Sequence, residues 1–208
     1  MKGLLLKDLY LAWDHLKGYI LMVVAFSLLS AVEPGNFFLV FYPSMLCGMM
    51  PVNLMAYDER SKWDQYLALL PFNRAQIVAS KYLFGLIGQG VILLLVAVIN
   101  IIRMIFAGGV DWQYLLDLMG IMFMMSAVSV ALPLPFIFRS GVEKGRMGYY
   151  VMIGLAGVAS GVAGGLLGDD VSAFVLPSLA VPIMITVGIG FYGLSWWLSV
   201  KFYEKREL

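Results

Sequence analysis

Six apolar stretches alternate with short polar segments along this 208-residue chain. A helix needs about 20 residues to cross a hydrocarbon core about 30 Å thick, and five of the six stretches reach that length. None shows the polar face at helical period that a soluble bundle requires. We therefore predict an all-α integral membrane protein with six transmembrane helices. The predicted spans are Gly18–Val32, Phe37–Ala56, Tyr82–Ile105, Tyr114–Phe138, Gly148–Leu167 and Pro177–Val200.

The distribution of basic residues predicts how the chain is oriented. Short loops rich in Lys and Arg stay on the cytoplasmic side of a membrane. The loops near residues 33–36, 107–112 and 168–172 carry acids and no bases, so we expect them outside and both termini in the cytoplasm. Thirteen bases fall into four groups at the opposite ends of the spans: Lys2, Lys7 and Lys17; Arg60, Lys62, Arg74 and Lys81; Arg139, Lys144 and Arg146; Lys201, Lys205 and Arg206.

The overall composition supports a membrane protein and limits its partners. Hydrophobic residues make up 62% of the chain, which is too apolar for a soluble domain of this length. The formal net charge is only +1, and the bases are accounted for by topology. We therefore expect a lipid membrane and no nucleic acid among the partners, and a single transmembrane domain over residues 1–208.

Residues 1–17 read as an amphipathic helix lying in the membrane interface rather than as a span. One arc of the helical wheel is apolar and the other is polar, as in interfacial helices. The apolar arc contains Leu5, Leu6, Leu9, Tyr10, Trp13 and Leu16, and the polar arc contains Lys7, Asp8, Asp14 and His15. Leu4 and Leu11 break this pattern.

The longest polar stretch, residues 57–81, predicts two helices on the cytoplasmic face. A short helix from about Arg60 to Leu70 would end at Pro71, because proline lacks the N–H that a helix needs. Asn73 and Gln76 have the spacing of a capping box, which marks the start of the next helix. Such a segment is suited to contact a partner.

Ionisable residues are absent from the middle of every predicted span. An ion-coupled transporter or proton relay needs such groups at that depth. Only Arg103 and Asp117 lie within spans, and both are near the outer ends of consecutive antiparallel helices. We predict an ion pair between them and interpret it as a structural clasp, with contact to a substrate as the alternative.

A run of glycines in the fifth predicted span indicates close helix packing. Gly157, Gly161 and Gly165 are four residues apart, so they form one groove where another backbone can approach. Packing within the subunit is the favoured interpretation, and a dimer contact is the alternative. Pro177 and Pro182 leave open whether residues 170–182 form a re-entrant segment.

The motifs that enzymes require are missing from the sequence. His15 is the only histidine, so neither a zinc site nor a Ser-His-Asp arrangement can be built from the chain. No Lys is followed by Ser or Thr, which excludes a Walker A phosphate loop. We predict no catalytic residue, no metal site and no bound cofactor. Energy for any uphill transport must then enter through a partner, and residues 57–81 are the expected docking surface.

Two regions of the sequence resemble ABC-2-type transporter permeases. The residues that carry the resemblance are Tyr57, Asp58, Glu59, Arg60, Lys62, Trp63, Asp64, Leu70, Pro71, Arg74, Ile77, Val78, Ser80, Lys81 and Tyr82, together with Leu4, Leu5, Lys7, Asp8 and Leu9 near the N-terminus. They look most like small bacterial half-permeases, which include phenol-soluble-modulin exporter subunits and bacteriocin-immunity permeases. The short outer loops of this chain depart from members that carry an external domain.

The resemblance implies that residues 59–70 form a coupling helix that fits into a cleft of an ATPase. Aromatic side chains carry most of the energy of such contacts, and charged rims fix their orientation. The expected anchor is Trp63, Tyr66 and Leu67, and the expected rim is Glu59, Arg60 and Asp64. The alternative is that Trp63 and Tyr66 face lipid headgroups as part of an aromatic belt.

The resemblance also implies the assembly and its task. It predicts two copies of a cytoplasmic ABC ATPase, which hold ATP and Mg²⁺, and a second permease subunit that is either identical or paralogous. The expected function is export of amphipathic peptides or other apolar cargo across the bacterial plasma membrane by alternating access. The alternatives are a membrane immunity or scaffold protein that transports nothing and an ion-coupled secondary transporter.

Overall fold

The structure is a computed structural model that describes residues 2–32, 37–67, 71, 73–147, 150, 154 and 180–205. All regular structure over these residues is helical, so the all-α prediction is confirmed for them. The helices are α1 (Lys2–His15), α2 (Lys17–Val32), α3 (Phe37–Arg60), α4 (Trp63–Leu67), α5 (Arg74–Phe106), α6 (Trp112–Ala131), α7 (Pro133–Ser140) and α8 (Ala180–Glu204). Residues 142–147 are also helical.

Three helical segments among the described residues are long and apolar enough to cross a membrane. They are Arg74–Phe106, Trp112–Ser140 and Val181–Glu204, and the α1–α2 pair makes a fourth if it counts as one bent span. The structure thus supports three to four of the six predicted spans. The fifth predicted span, apart from residues 150 and 154, and with it Gly157, Gly161 and Gly165, lies outside the described residues. So does most of the segment 170–182.

The N-terminal helix meets the next one at a sharp angle. The axes of α1 and α2 differ by 78°, with Leu16 at the break. Most of the predicted apolar arc of α1 is exposed, including Leu9 and Trp13 at 57% and 64%. The side that faces the other helices contains Leu4, Asp8 and Ala12 instead. These three positions are four residues apart and form one stripe along the helix.

The fourth predicted span consists of two consecutive helices, and Leu132 between them keeps helical dihedral angles with its N–H bonded to Val128 O. α6 ends at Ala131, and α7 begins at Pro133 after a cap at Leu132. Proline removes a backbone donor and its ring clashes with the carbonyl four residues earlier, which breaks a regular helix. By contrast, Pro43 and Pro51 lie within α3, which continues through both.

The described helices pack around α5, the longest of them at 33 residues. α5 contacts α1, α2, α3, α6 and α8. Glycine allows the closest approaches between neighbours, because a Cβ atom at Gly48 of α3 would lie 2.3 Å from Ser129 Oγ of α6. Three apolar clusters of buried residues lie between the described helices.

Candidate functional site

The polar segment between α3 and α5 begins later than the sequence predicted. α3 continues past Ala56 to Arg60, so Glu59 and Arg60 belong to its last turn and not to a separate coupling helix. A tight turn follows in which Lys62 has a φ of 54°, in the left-handed region. This turn ends α3, and α4 runs only from Trp63 to Leu67. The predicted helix from about Arg60 to Leu70 is therefore corrected at its start, and residues 68–70 lie outside the described range.

The predicted anchor residues occupy three different environments. Leu67 is 5% exposed and packs in the cluster that contains Leu4, Ile77, Phe138 and Tyr203. Its side chain is part of the protein interior and is not available to a partner in this structure. The expectation that Leu67 anchors an ATPase is therefore not supported by its placement.

The two aromatic residues of α4 lie side by side at its surface. The ring centroids of Trp63 and Tyr66 are 6.3 Å apart, and Lys7 Nζ lies 4.7 Å from the Trp63 ring. Trp63 is half-buried against the same apolar cluster as Leu67, whereas Tyr66 is 62% exposed. Asp64 lies on α4 between them. Of the predicted anchor, Tyr66 is thus the side chain most open to a partner.

The predicted rim residues Glu59 and Arg60 also have different surroundings. One carboxylate oxygen of Glu59 accepts a hydrogen bond of 3.0 Å from the backbone N–H of Val142, after the turn at Gly141 that ends α7. Glu59 therefore ties the end of α3 to the chain beyond α7. Arg60 is exposed at the surface.

Four charged side chains meet at the base of this segment, and we call them the four-charge cluster: Lys7, Asp8, Asp58 and Lys81. Lys81 Nζ donates to both Asp8 carboxylate oxygens at 2.7 and 2.9 Å and to Asp58 Oδ2 at 2.7 Å. Lys7 Nζ donates to Asp58 Oδ1 and lies 3.3 Å from Asp8 Oδ1. The cluster holds two positive and two negative groups, so its charges balance.

The cluster is deeply buried although it is composed of charges. The exposed fractions are 1% for Asp8, 7% for Asp58 and 6% for Lys81. A buried charge without a partner costs several kcal/mol, so such groups occur only when they are paired and hydrogen-bonded. Here each buried charge faces at least one opposite charge, and three helices, α1, α3 and α5, contribute to the cluster.

This cluster was not predicted from the sequence, and the direction in which Asp8 faces was predicted wrongly. Asp8 was assigned to the polar arc of an interfacial helix, but it faces the bundle because Lys81 pairs with it. The available signal was Leu4, which broke the amphipathic pattern and which shares a stripe with Asp8 and Ala12. Lys81 was interpreted as a topology-determining base and as part of the family resemblance, but not as a partner of Asp8.

Uncharged polar groups connect the helices deeper in the bundle. The Tyr82 hydroxyl of α5 lies 2.6 Å from Ser195 Oγ and 2.7 Å from Ser199 Oγ of α8. Gln89 Nε2 donates to Ser44 O at 2.9 Å and to Ser129 Oγ at 3.1 Å, linking α5 to α3 and α6. These links between helices use no charged side chain, although Gln89 Oε1 and Ser44 Oγ are buried without a hydrogen-bond partner.

The predicted ion pair between Arg103 and Asp117 is not formed. The Arg103 guanidinium carbon lies 5.8 Å from the centroid of the Tyr114 ring, and Asp117 Oδ1 accepts a 3.2 Å hydrogen bond from Gln113. No ion pair in the described part of the chain joins the two residues. Each charged group has another partner on α6. Arg103 makes a cation–π contact with Tyr114, and Asp117 accepts a hydrogen bond from the Gln113 amide four residues earlier.

The described residues offer no place for a metal ion, since no group of three or more His, Cys, Asp or Glu side chains comes together among them. What the fold and the site define is a multi-pass helical membrane protein whose described buried charges gather in one cluster beside the polar segment between α3 and α5.

A comparison with protein families identifies the family. A family model described as "ABC-2 family transporter protein" matches residues 3–204, so the chain belongs to this family. It is therefore a permease subunit of an ABC transporter, and its partners are a membrane and an ABC ATPase. No curated protein and no solved structure matches the chain.

Proposed function

We propose that this chain is the permease subunit of an exporter and that its ATPase docks on residues 57–81. The observation that carries the proposal is Tyr66. Its aromatic side chain is 62% exposed on α4 and lies next to Trp63. The Trp63 ring in turn contacts Lys7 of the four-charge cluster. Exposed aromatic residues on a braced element are typical anchors of protein interfaces.

The proposed assembly contains two ATPase copies and a second permease subunit, either identical or paralogous. ATP and Mg²⁺ bind the ATPase, and closure of the two ATPases moves the α4 segments and switches the permease between inward-open and outward-open states. The proposed membrane is the bacterial plasma membrane, with six spans and both termini in the cytoplasm. The basic Lys and Arg groups at one end of the spans support this orientation.

The proposed cargo is an amphipathic peptide or another molecule with a large apolar surface. The buried polar groups described at mid-span, such as Gln89, Ser129 and Asn100, are uncharged. The chain also contains fourteen Met residues, whose flexible side chains adapt to varied apolar shapes. The resemblance to phenol-soluble-modulin exporter subunits supports the same class of cargo.

The docking proposal is tested by measuring the dissociation constant between the chain in lipid nanodiscs and its partner ABC ATPase. Tyr66→Ala should weaken binding on the order of tenfold or more, because it removes an interface anchor. Trp112→Ala is the matched control, since Trp112 is 65% exposed at the start of α6, on the predicted outer side. Equal affinities for Tyr66→Ala and the unmodified chain would overturn the proposal.

A further inference from the structure

We infer that the four-charge cluster is a mechanical joint that makes α1 move together with α3 and α5 when the ATPase displaces α4. The inference rests on the proposed docking of an ATPase at residues 57–81 and adds a route by which its motion reaches the membrane. Lys81 is the centre of this joint, and Asp8 is its link to α1. Both are positioning residues, since neither is placed to contact cargo or nucleotide.

The ion pair between Asp58 and Lys81 joins the two ends of the segment that contains α4. Asp58 lies in the last turn of α3, before α4, and Lys81 lies in α5, after it. The 2.7 Å contact between their side chains joins residues that are 23 positions apart, so the intervening segment is a loop with a fixed base. A push on α4 is then delivered to α3 and α5 together.

The same lysine extends the joint to the N-terminal helix. Lys81 Nζ holds both carboxylate oxygens of Asp8, which is 73 positions away in the chain. Lys7 adds a contact from α1 to Asp58. Each of the three helices therefore contributes at least one charge, and no single helix can shift along the others without separating an ion pair.

The position of α1 matters because it forms a wall of an apolar cavity. The cavity has a volume of about 570 Å³, and its lining includes Leu9 and Trp13 of α1, Val23 of α2, Cys47 of α3 and Val91 of α5. A movement of α1 relative to α3 and α5 changes the shape of this cavity. The joint thus connects the docking segment to an open apolar cleft between α1, α2, α3 and α5.

Charged side chains suit a joint better than an apolar contact does. Apolar residues of similar volume are often as stabilising as a buried ion pair, so stability alone does not require the charges. Ion pairs with directed hydrogen bonds instead fix which atoms meet and in which register. A cluster that only filled space would not need Lys81 to contact two carboxylates from different helices.

The test uses charge-balanced double variants. Asp8→Asn with Lys81→Gln breaks the link between α1 and α5 but leaves Lys7 paired with Asp58, so no uncompensated charge remains. Asp14→Asn with Lys17→Gln is the matched control, because it removes the same residue types from an exposed pair 4.0 Å apart at the end of α1. If the first double variant does not fold, Lys7→Gln with Asp58→Asn tests the links to α3 instead, because it removes both contacts of Asp58 and leaves Asp8 paired with Lys81, and the change in fluorescence should again fall at least twofold.

Motion of α1 is read from a fluorophore on Trp13→Cys in a Cys47→Ala background, in nanodiscs that also contain the partner ABC ATPase. The reference chain carries only Trp13→Cys and Cys47→Ala. We expect ATP to change the fluorescence in this chain and in the control with Asp14→Asn and Lys17→Gln. In Asp8→Asn with Lys81→Gln the change should fall at least twofold, because the Lys7–Asp58 contact is then the one ion pair of the cluster that still joins α1 to α3, while ATPase affinity stays within twofold and the thermal midpoint stays near that of the control.

Two results would overturn the inference while leaving docking intact. One is a full ATP-dependent change of fluorescence in Asp8→Asn with Lys81→Gln. The other is the absence of any ATP-dependent change of fluorescence in the reference chain, although the ATPase binds it. If the ATPase does not bind the reference chain at all, the docking proposal itself fails, and the inference fails with it.

Discussion

Asp8 shows how one side chain decides the role of a whole helix. Its carboxylate is 1% exposed and lies within hydrogen-bonding distance of Lys81, which draws the Leu4, Asp8 and Ala12 side of α1 against the other helices. The apolar side chains of α1 are left outward as a result. An interfacial helix normally keeps its charges in water, so this placement must be stabilised by the opposite charge.

Replacing Asp8 alone should destabilise the protein strongly. Asp8→Asn leaves the cluster with an excess positive charge in a buried site, at a cost on the order of 3 kcal/mol. Asp14→Asn on the same helix removes an exposed acid and should change the free energy of unfolding by no more than about 0.5 kcal/mol. Denaturant titration of the two purified variants measures the difference, and similar values for both would contradict the burial of Asp8.

Leu67 and Tyr66 should respond to truncation in opposite ways. Leu67→Ala removes a buried side chain from an apolar cluster and should cost about 2–5 kcal/mol of stability. Tyr66→Ala removes an exposed side chain and should leave stability within about 0.5 kcal/mol while it weakens ATPase binding. Thermal unfolding alongside the binding measurement separates the two effects. A stable Leu67→Ala variant would mean that Leu67 is not part of the core.

At the scale of elements, α3 and α6 approach each other at a glycine. A Cβ atom at Gly48 would lie 2.7 Å from Ser129 Cβ and 3.0 Å from the Ser129 backbone carbon, so the two helices would have to separate. Both atoms are close to the α6 backbone, which cannot move as a flexible side chain could.

Gly48→Ala should therefore destabilise the packing of α3 on α6. Overpacking typically costs about 1–3 kcal/mol. Gly90→Ala in α5 is the control, because nothing lies within 4 Å of its added Cβ and alanine favours a helix by about 1 kcal/mol over glycine. Unfolding in detergent should rank Gly90→Ala at or above the unmodified chain and Gly48→Ala below it. The reverse order would show that α3 and α6 are not in contact at Gly48.

Local signals allowed some elements to be predicted from the sequence. α5 begins at Arg74, as the spacing of Asn73 and Gln76 predicted, and the Asn73 N–H donates to Gln76 Oε1 at 3.3 Å. The break before Pro133 was not predicted, because the stretch is apolar throughout and membrane helices tolerate proline. Pro43 and Pro51, which α3 accommodates, show that proline alone does not locate a break.

The site was less predictable than the helices because it depends on distant partners. The exposed position of Tyr66 is compatible with the predicted docking role, whereas the burial of Leu67 follows from packing against α5, α7 and α8. Glu59 was assigned to a rim but bonds to Val142, 83 positions away. No periodicity in the sequence encodes such long-range contacts.

At the scale of the whole molecule, polar chemistry is divided between two depths. The described bundle interior uses neutral groups such as Gln89 and Tyr82, and the buried charges gather in the four-charge cluster beside α4. Ion coupling requires ionisable groups along the transport path. The arrangement fits a permease that receives its energy at one end, as membership of the ABC-2 family implies.

The most direct test of this account is a proximity measurement on the assembled transporter. Cys47 is the only cysteine, so Cys47→Ala provides a background into which Tyr66→Cys or Trp112→Cys places a single thiol. A short thiol-specific cross-linker is then added to nanodiscs that contain the chain and its partner ABC ATPase. We predict that the thiol at position 66 cross-links to the ATPase and that the thiol at position 112 does not. Cross-linking at position 112, or none at position 66 in a complex that has formed, would contradict docking on residues 57–81.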